Sequence, residues 1–365
     1  MPPPPSVQLL LERIRRHDGP PVRLMEVCGG QTHSILRHGI DLLVEPRVHL
    51  LHGPGCPVCV TPGGYLDQAI ALARNPAHIL CTFGDLLRVP SATSGDLFSA
   101  RAAGGDIRVI LSPLEALDLA ARHPQKTVIL LAIGFETTAP AHALAVQLAR
   151  ERRLSNFRIL PSLFLLPPVL RSICADPASA PDAFLAAGHV CTISGADAYA
   201  PLADELRRPI IITGFTPEEI LLGIHHALRL LTAAPPPPRL FNAYPSAVRP
   251  EGNPSARRLL ARIFTPCDKE WRGLGHLPAS GLALRPEYAD FDAAPLCPPP
   301  LPMPAPPAPS AACPAADVLR GLLLPPACPC FGKTCTPDAP QGAPMVSPEG
   351  ACAAYYLHRA PPRTP

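Results

Sequence analysis

Val22-Arg-Leu-Met-Glu-Val-Cys28-Gly-Gly-Gln-Thr-His33 reads as a buried strand that runs into a glycine pair and then into a helix. In parallel α/β folds, ligand chemistry sits at such carboxyl ends of strands. Gly29 and Gly30 permit a tight turn and close approach of a ligand to the backbone. A cysteine just before a helix meets free N–H groups and the positive end of the helix dipole, which favour its thiolate. The alternative is a buried core cysteine, with His33 as a polar residue of the first helical turn. The G-x-G-x-x-G spacing of a dinucleotide site is absent.

Outward from this stretch, short apolar runs alternate with segments of helical periodicity. The predicted strands are 23–27, 48–52, 78–82, 107–111, 128–133, 156–161, 188–193 and 209–214. Between them, helices are expected over 33–43, 64–74, 113–121, 140–152 and 217–231. Strands separated by helices of this length make right-handed βαβ units and parallel sheets. Eight strands suffice for one large sheet or two smaller ones, and the break at 122–126 permits two halves. An amphipathic segment over 7–16 precedes the first strand. The pattern decays after Pro235–Pro238, and 293–312 is nearly all Pro, Ala and Leu, the composition of an extended linker. The residues beyond it carry five cysteines and little periodicity, so that segment needs a metal or disulfides to order it.

The chain has 365 residues, room for two or three domains, with 47% hydrophobic and only 17% charged residues. Its 53 prolines are clustered and punctuate the fold. Lysine occurs only at Lys126, Lys269 and Lys333 among 32 basic residues, a skew that reads as coding bias. A net charge of +3 without a basic block argues against nucleic acid as the partner. Apolar runs of about nine residues are far too short to cross a bilayer. The start Met-Pro-Pro-Pro-Pro has none of the regions of a signal peptide, so a cytoplasmic location is expected. In a reducing compartment, 13 cysteines point to metal ligands or redox thiols rather than structural disulfides.

His52-Gly-Pro-Gly-Cys56-Pro-Val-Cys59 places a C-x-x-C pair at the end of the second strand. That spacing suits a redox dithiol or half of a zinc site. The dithiol is favoured, because the next cysteine, Cys81, lies inside an apolar strand. Cys28, Cys56 and Cys59 are expected to converge on one cleft. Near the C-terminus, Cys313, Cys328, Cys330, Cys335 and Cys352 fit structural zinc or an iron–sulfur cluster. Spacings of C-x14-C, C-x6-C and C-x16-C are unlike paired zinc knuckles and favour the cluster. Cys81, Cys174, Cys191 and Cys267 are expected in the core.

Taken together, Glu26-Val-Cys-Gly-Gly-Gln-Thr-His33, Gly53-Pro-Gly-Cys-Pro-Val-Cys59, Cys81-Thr-Phe-Gly-Asp85, Gly134-Phe-Glu-Thr-Thr138, Gly188-His189 and the terminal cysteine module resemble the HypD family of hydrogenase maturation proteins. The likeness runs from about Arg23 to Tyr356. It implies an α/β fold with two parallel-sheet domains facing a cleft, plus a small C-terminal Cys-rich iron–sulfur domain. The expected divisions are a tail over 1–20, a first α/β domain over 21–125, a second over 126–265, and a linker with the cluster domain over 266–365.

The resemblance also implies a redox-active assembly scaffold, rather than a conventional enzyme, for the Fe(CN)2CO unit of [NiFe]-hydrogenase. Its partners would be a HypC-like small chaperone and a HypE-like cyanide donor. Cys28 matches the iron-binding cysteine, His33 the histidine of the same motif, and Cys56 and Cys59 the redox pair. The family pattern C-x-x-F-G-x-x-C, counted from Phe331-Gly332, assigns the [4Fe-4S] ligands to Cys313, Cys328, Cys335 and Cys352. Cys330 is then an extra thiol and Cys297 a bystander. Glu136 ends a strand and is expected either to line the cleft or to sit at a helix N-terminus, and His189 is expected just before a strand. A free-standing iron–sulfur-linked thiol–disulfide oxidoreductase is the other reading of the same parts.

Overall fold

A computed structural model describes residues 6–233, 239–298 and 313–359. Eleven strands form two sheets: β1 Val22–Glu26, β2 Val48–His52, β3 His78–Thr82, β4 Ile107–Val109, β5 Thr127–Gly134, β6 Phe157–Phe164, β7 Ala183–Ala187, β8 Ile210–Thr213, β9 Leu240–Asn242, β10 Phe264–Trp271 and β11 Gly275–Leu284. The first sheet is parallel throughout, in the order β2-β1-β7-β8-β9. The second has the order β10-β11-β6-β5-β3-β4 and is mixed, because β11 runs antiparallel to both β6 and β10. The fold is thus the expected α/β with two sheets, corrected by an antiparallel hairpin on one edge.

The sheets face each other across a shared core that holds Met25, Phe184 and Ile212 from the first, and Leu80, Ile129 and Phe164 from the second. Trp271, fully buried, donates its indole N–H to Ser280 Oγ at 2.9 Å and packs edge-on against Phe164. Helices cover the outer faces. Val7–Arg15 and Pro217–Thr232 pack on the first sheet, and Pro113–Arg122 and Ala139–Glu151 on the second. Their starts carry strong local signals. Ser112 with Glu115, and Thr216 with Glu219, form reciprocal capping boxes that satisfy the free N–H groups of the first turn. Strands buried on both faces read as continuous apolar runs, as β3 and β5 do.

Two expectations about organisation change. The division of the chain at residue 125 does not coincide with the division between the sheets. The chain lays down β1 and β2, crosses to build β3–β6, returns for β7–β9, and crosses again for the hairpin. The strand expected over 188–193 is instead the helix Gly188–Ser194, and the strand is the preceding Ala183–Ala187. Gly188 marks the junction: a Cβ there would lie 2.4 Å from the Thr213 carbonyl oxygen. Residues 293–298 of the expected linker include a short helical turn, Ala294–Leu296. The remainder, 299–312, and the tail 1–5 lie outside the described residues.

Candidate redox and metal-handling site

β1 and β2 pair in register, with Glu26 opposite His52, so the loops that follow them leave the sheet side by side. Cys28 caps the helix Gly29–Arg37, and Cys56 caps the turn Pro57–Val60. Gly53 N–H donates to the Glu26 carbonyl at 2.8 Å, and Gly29 N–H to that of Gly55 at 3.4 Å. A Cβ on Gly55 would fall 2.3 Å from the Cys28 nitrogen, so only glycine lets the two loops touch. The three cysteines therefore stand on adjoining loops. Cys56 and Cys59 form a disulfide that is almost completely buried.

Glu26 organises this corner. Its carboxylate accepts from Cys28 N–H at 2.7 Å, from Thr32 Oγ1 at 2.5 Å and from the His52 imidazole Nδ1 at 2.7 Å. His52 Nε2 in turn meets the Tyr355 hydroxyl at 3.1 Å. The dipole argument for a ready thiolate at Cys28 is overturned. N–H groups of Gln31 and Gly30 do favour the charge, but burial dominates and pushes the thiol up to about 12, with Glu26 and Glu349 adding to the rise. Burial thus favours the neutral thiol at Cys28.

The C-terminal module docks on this corner. Helix Ala351–Arg359 packs against Gly29–Arg37 through Leu36, Ala354 and Tyr355, and Arg359 pairs with Asp41 at 2.5 Å. His33 joins the fastening: Nδ1 lies 3.1 Å from His358 Nε2, and Nε2 contacts the Pro348 carbonyl. Glu349 backs onto the start of the Cys28 helix, where a Cβ on Gly29 would strike its backbone. Glu26, His52, Tyr355 and Glu349 were given no role on sequence grounds. Only the Glu26-x-Cys28 and His52-x3-Cys56 spacings hinted at the first two.

Cys313, Cys328, Cys330, Cys335 and Cys352 line one cavity, whose remaining wall is Pro, Ala, Val, Phe, Gly and Met. Burial raises the Cys313 thiol to about 11 and raises those of Cys335 and Cys352 as well. The principal electrostatic neighbours of Cys352 are Cys313, Cys335 and Cys328, the other three of the expected ligand set. An all-sulfur donor set in a dry wall fits an iron–sulfur cluster. The donors are spread around the wall, and among the described residues no three His, Cys, Asp or Glu groups stand close enough to hold a single ion.

Other candidates fall elsewhere. Glu136 is buried at the end of β5, and its Oε1 accepts from Leu166 N–H at 2.9 Å, at the start of helix Leu166–Ala175. His189 lies in the first turn of Gly188–Ser194, not before a strand, and its ring rests on Phe215 with centroids 4.1 Å apart. Cys81 and Cys191 are buried as expected, whereas Cys174 and Cys267 are partly exposed. Cys297 packs at the core margin and points its thiol at the Ala293 carbonyl.

Burial pushes Glu136 up to about 7, against an ordinary value near 4.5. The folded protein thus keeps this proton where the unfolded chain releases it. The contribution of this group to stability is full below about pH 4.5, falls by about 3 kcal/mol as pH rises to about 7, and is flat beyond. Glu136→Gln is expected to remove that decline in thermal melts between pH 5 and 8. An unchanged slope would assign the pH dependence elsewhere.

An α/β frame of one parallel and one mixed sheet thus carries a buried disulfide, a half-buried thiol at a strand end and a module whose cavity is lined by five cysteines. The HypD family model, described as "Hydrogenase formation hypA family", matches residues 6–359. Among curated relatives, the Escherichia coli (strain K12) "Hydrogenase maturation factor HypD" is 41% identical over 98% of this chain and 96% of its own length. The protein of that name from Azotobacter vinelandii is 43% identical over 92% and 89%, and that from Rhodobacter capsulatus 40% over 97% and 93%. The chain belongs to the HypD family of hydrogenase maturation factors. No helix among the described residues is long and apolar enough to cross a membrane.

Proposed function

We propose that this maturation factor is the platform on which the Fe(CN)2CO unit of [NiFe]-hydrogenase is assembled, together with a HypC-like chaperone and a HypE-like cyanide donor, in the cytoplasm. Cys28 holds the iron of the unit as thiolate, and Glu26 and His52 fix the backbone that presents it. Cys313, Cys328, Cys335 and Cys352 hold a [4Fe-4S] cluster. When bound, the cluster supplies electrons one at a time. Cys56 and Cys59 convert that supply into pairs: oxidation of the dithiol to the disulfide releases two electrons and two protons. Reductive cleavage of an S–CN bond consumes two electrons per cyanide.

One observation carries the relay. Cys56, Cys59 and Ala351 line a single small cavity, Cys352 follows Ala351 directly, and Val318 belongs to the walls of both this cavity and the sulfur-lined one. The burial of Cys56 and Cys59, at 3% and 0% exposure, speaks against a free-standing oxidoreductase, whose thiols must reach outside partners. The test is anaerobic co-purification with the HypC-like partner, followed by infrared spectroscopy. Cyanide and CO stretching bands are expected on the complex. Their absence from a complex with a full complement of iron would refute the platform.

A further inference from the structure

The helix Ala351–Arg359 presents two residues to the rest of the protein from one side. Cys352 lines the sulfur-rich cavity, and Tyr355, three positions on, reaches His52. Residues three apart on a helix are neighbours on its surface, so the cavity wall and the contact to His52 shift together. Tyr355 Oη lies 3.1 Å from His52 Nε2, and the two rings meet edge-on with centroids 5.2 Å apart. Both side chains are buried, so bulk water does not compete for this hydrogen bond.

Beyond His52 the line continues to Cys28 without a gap. The imidazole Nδ1 stands 2.7 Å from Glu26 Oε1, which also accepts from the Thr32 hydroxyl, while Oε2 accepts from Cys28 N–H at 2.7 Å. A carboxylate only accepts, so Nδ1 is the nitrogen that carries a proton. Burial raises the Tyr355 phenol well above its usual range, so its hydroxyl remains a donor. An imidazole protonated at Nδ1 leaves a bare Nε2, and the hydroxyl fills it. The other side-chain fastenings of this helix end elsewhere, His358 on His33 and Arg359 on Asp41.

We propose that Tyr355 is a positioning residue for Cys28: its hydroxyl donates to His52 Nε2, holds the ring as the Nδ1–H tautomer and thereby fixes the Glu26 carboxylate on the Cys28 N–H. The docked module thus sets the electrostatic surroundings of the cysteine that receives the iron. The proposal rests on the platform reading for the iron, whereas the tautomer of His52 is independent of it. Such outer contacts orient a metal-binding residue and tune what it binds.

Two measurements on the full chain test it. NMR with selective 15N-histidine labelling reads the tautomer, and His52→Gln identifies the His52 signals. A protonated Nδ1 and a bare, hydrogen-bonded Nε2 are expected. Tyr355→Phe keeps the ring packing and should shift the Nε2 resonance downfield, as a bare nitrogen without its donor does. Infrared spectroscopy of the anaerobic complex with the HypC-like partner reads the iron. Tyr355→Phe should retain cluster iron and sulfide yet displace the cyanide and CO bands. Adding it to His52→Gln should move them no further than His52→Gln alone, since Tyr355 acts through His52. Arg359→Gln, which frees the same helix from Asp41, should leave both readouts unchanged.

An imidazolium or an Nε2–H tautomer at His52 in the wild-type protein would overturn the proposal, whether or not the variants fold. Unchanged bands in Tyr355→Phe would do the same, as would an equal displacement by Arg359→Gln, which would make Tyr355 a fastening and nothing more. A wild-type complex without bands would instead refute the platform, and the 15N signals alone would then decide whether Tyr355 holds His52.

Discussion

Alanine at position 28 is expected to give a folded protein that carries no iron unit and supports no hydrogenase maturation. The fold should tolerate the change, because the Cys28 side chain makes no capping hydrogen bond. Its backbone N–H still donates to Glu26 after the substitution. A loss of stability within about 1 kcal/mol follows for a half-buried thiol truncated in this way. Cys28→Ser should fail equally, since a hydroxyl is too hard and too weakly acidic to replace a thiolate on iron. The cyanide and CO bands of the anaerobic complex are the readout, with disulfide exchange at Cys56/Cys59 measured alongside. Full-strength bands on Cys28→Ala would remove the iron from this residue. Retained maturation with normal exchange would favour the oxidoreductase reading.

Cys352→Ser is expected to strip the protein of its cluster, and Cys330→Ala to leave it intact. Cys352 is buried in the first turn of Ala351–Arg359, the helix that also carries Tyr355 to His52 and Arg359 to Asp41. Loss of the cluster should therefore loosen the docking as well, because so short a module has little apolar core of its own. Cys330 is different in kind. Its carbonyl accepts from the N–H groups of Lys333 and Cys335, a backbone role that alanine preserves. Iron and acid-labile sulfide per chain, with the brown absorption of the anaerobic protein, decide the matter. Loss of iron on Cys330→Ala would overturn the ligand set.

Much of the frame was legible because its strands are short, apolar and flanked by breakers. Val48–His52 and His78–Thr82 were placed to the residue, and the capped helices to within one or two. Ala183–Ala187 was passed over because three of its five residues are alanine, and the more hydrophobic run after Gly188 drew the assignment. The hairpin was missed for another reason. Between its buried ends, Phe264–Trp271 alternates half-buried and exposed positions, but Pro266 and the run Asp268-Lys-Glu270 disguise it as loop. At the site, motifs located every cysteine loop, yet the links between loops were invisible. His52 and Tyr355 are 303 positions apart, and no local pattern announces their contact. The thiol of Cys28 was misjudged because the helix end is local and readable, whereas the burial that outweighs it is set by the whole fold.

The interleaved path of the chain has a consequence for biosynthesis. Arg23, on β1, hydrogen-bonds Asp182, which precedes β7 and lies 159 positions later. Until that stretch leaves the ribosome, β1 has β2 on one side and an open edge on the other. At about 5–20 residues per second, this wait lasts roughly 8–30 s. A nascent chain with an exposed apolar strand edge for so long invites mispairing. The corner that carries Cys28 thus gains its β7 neighbour only after about half of the chain has been made.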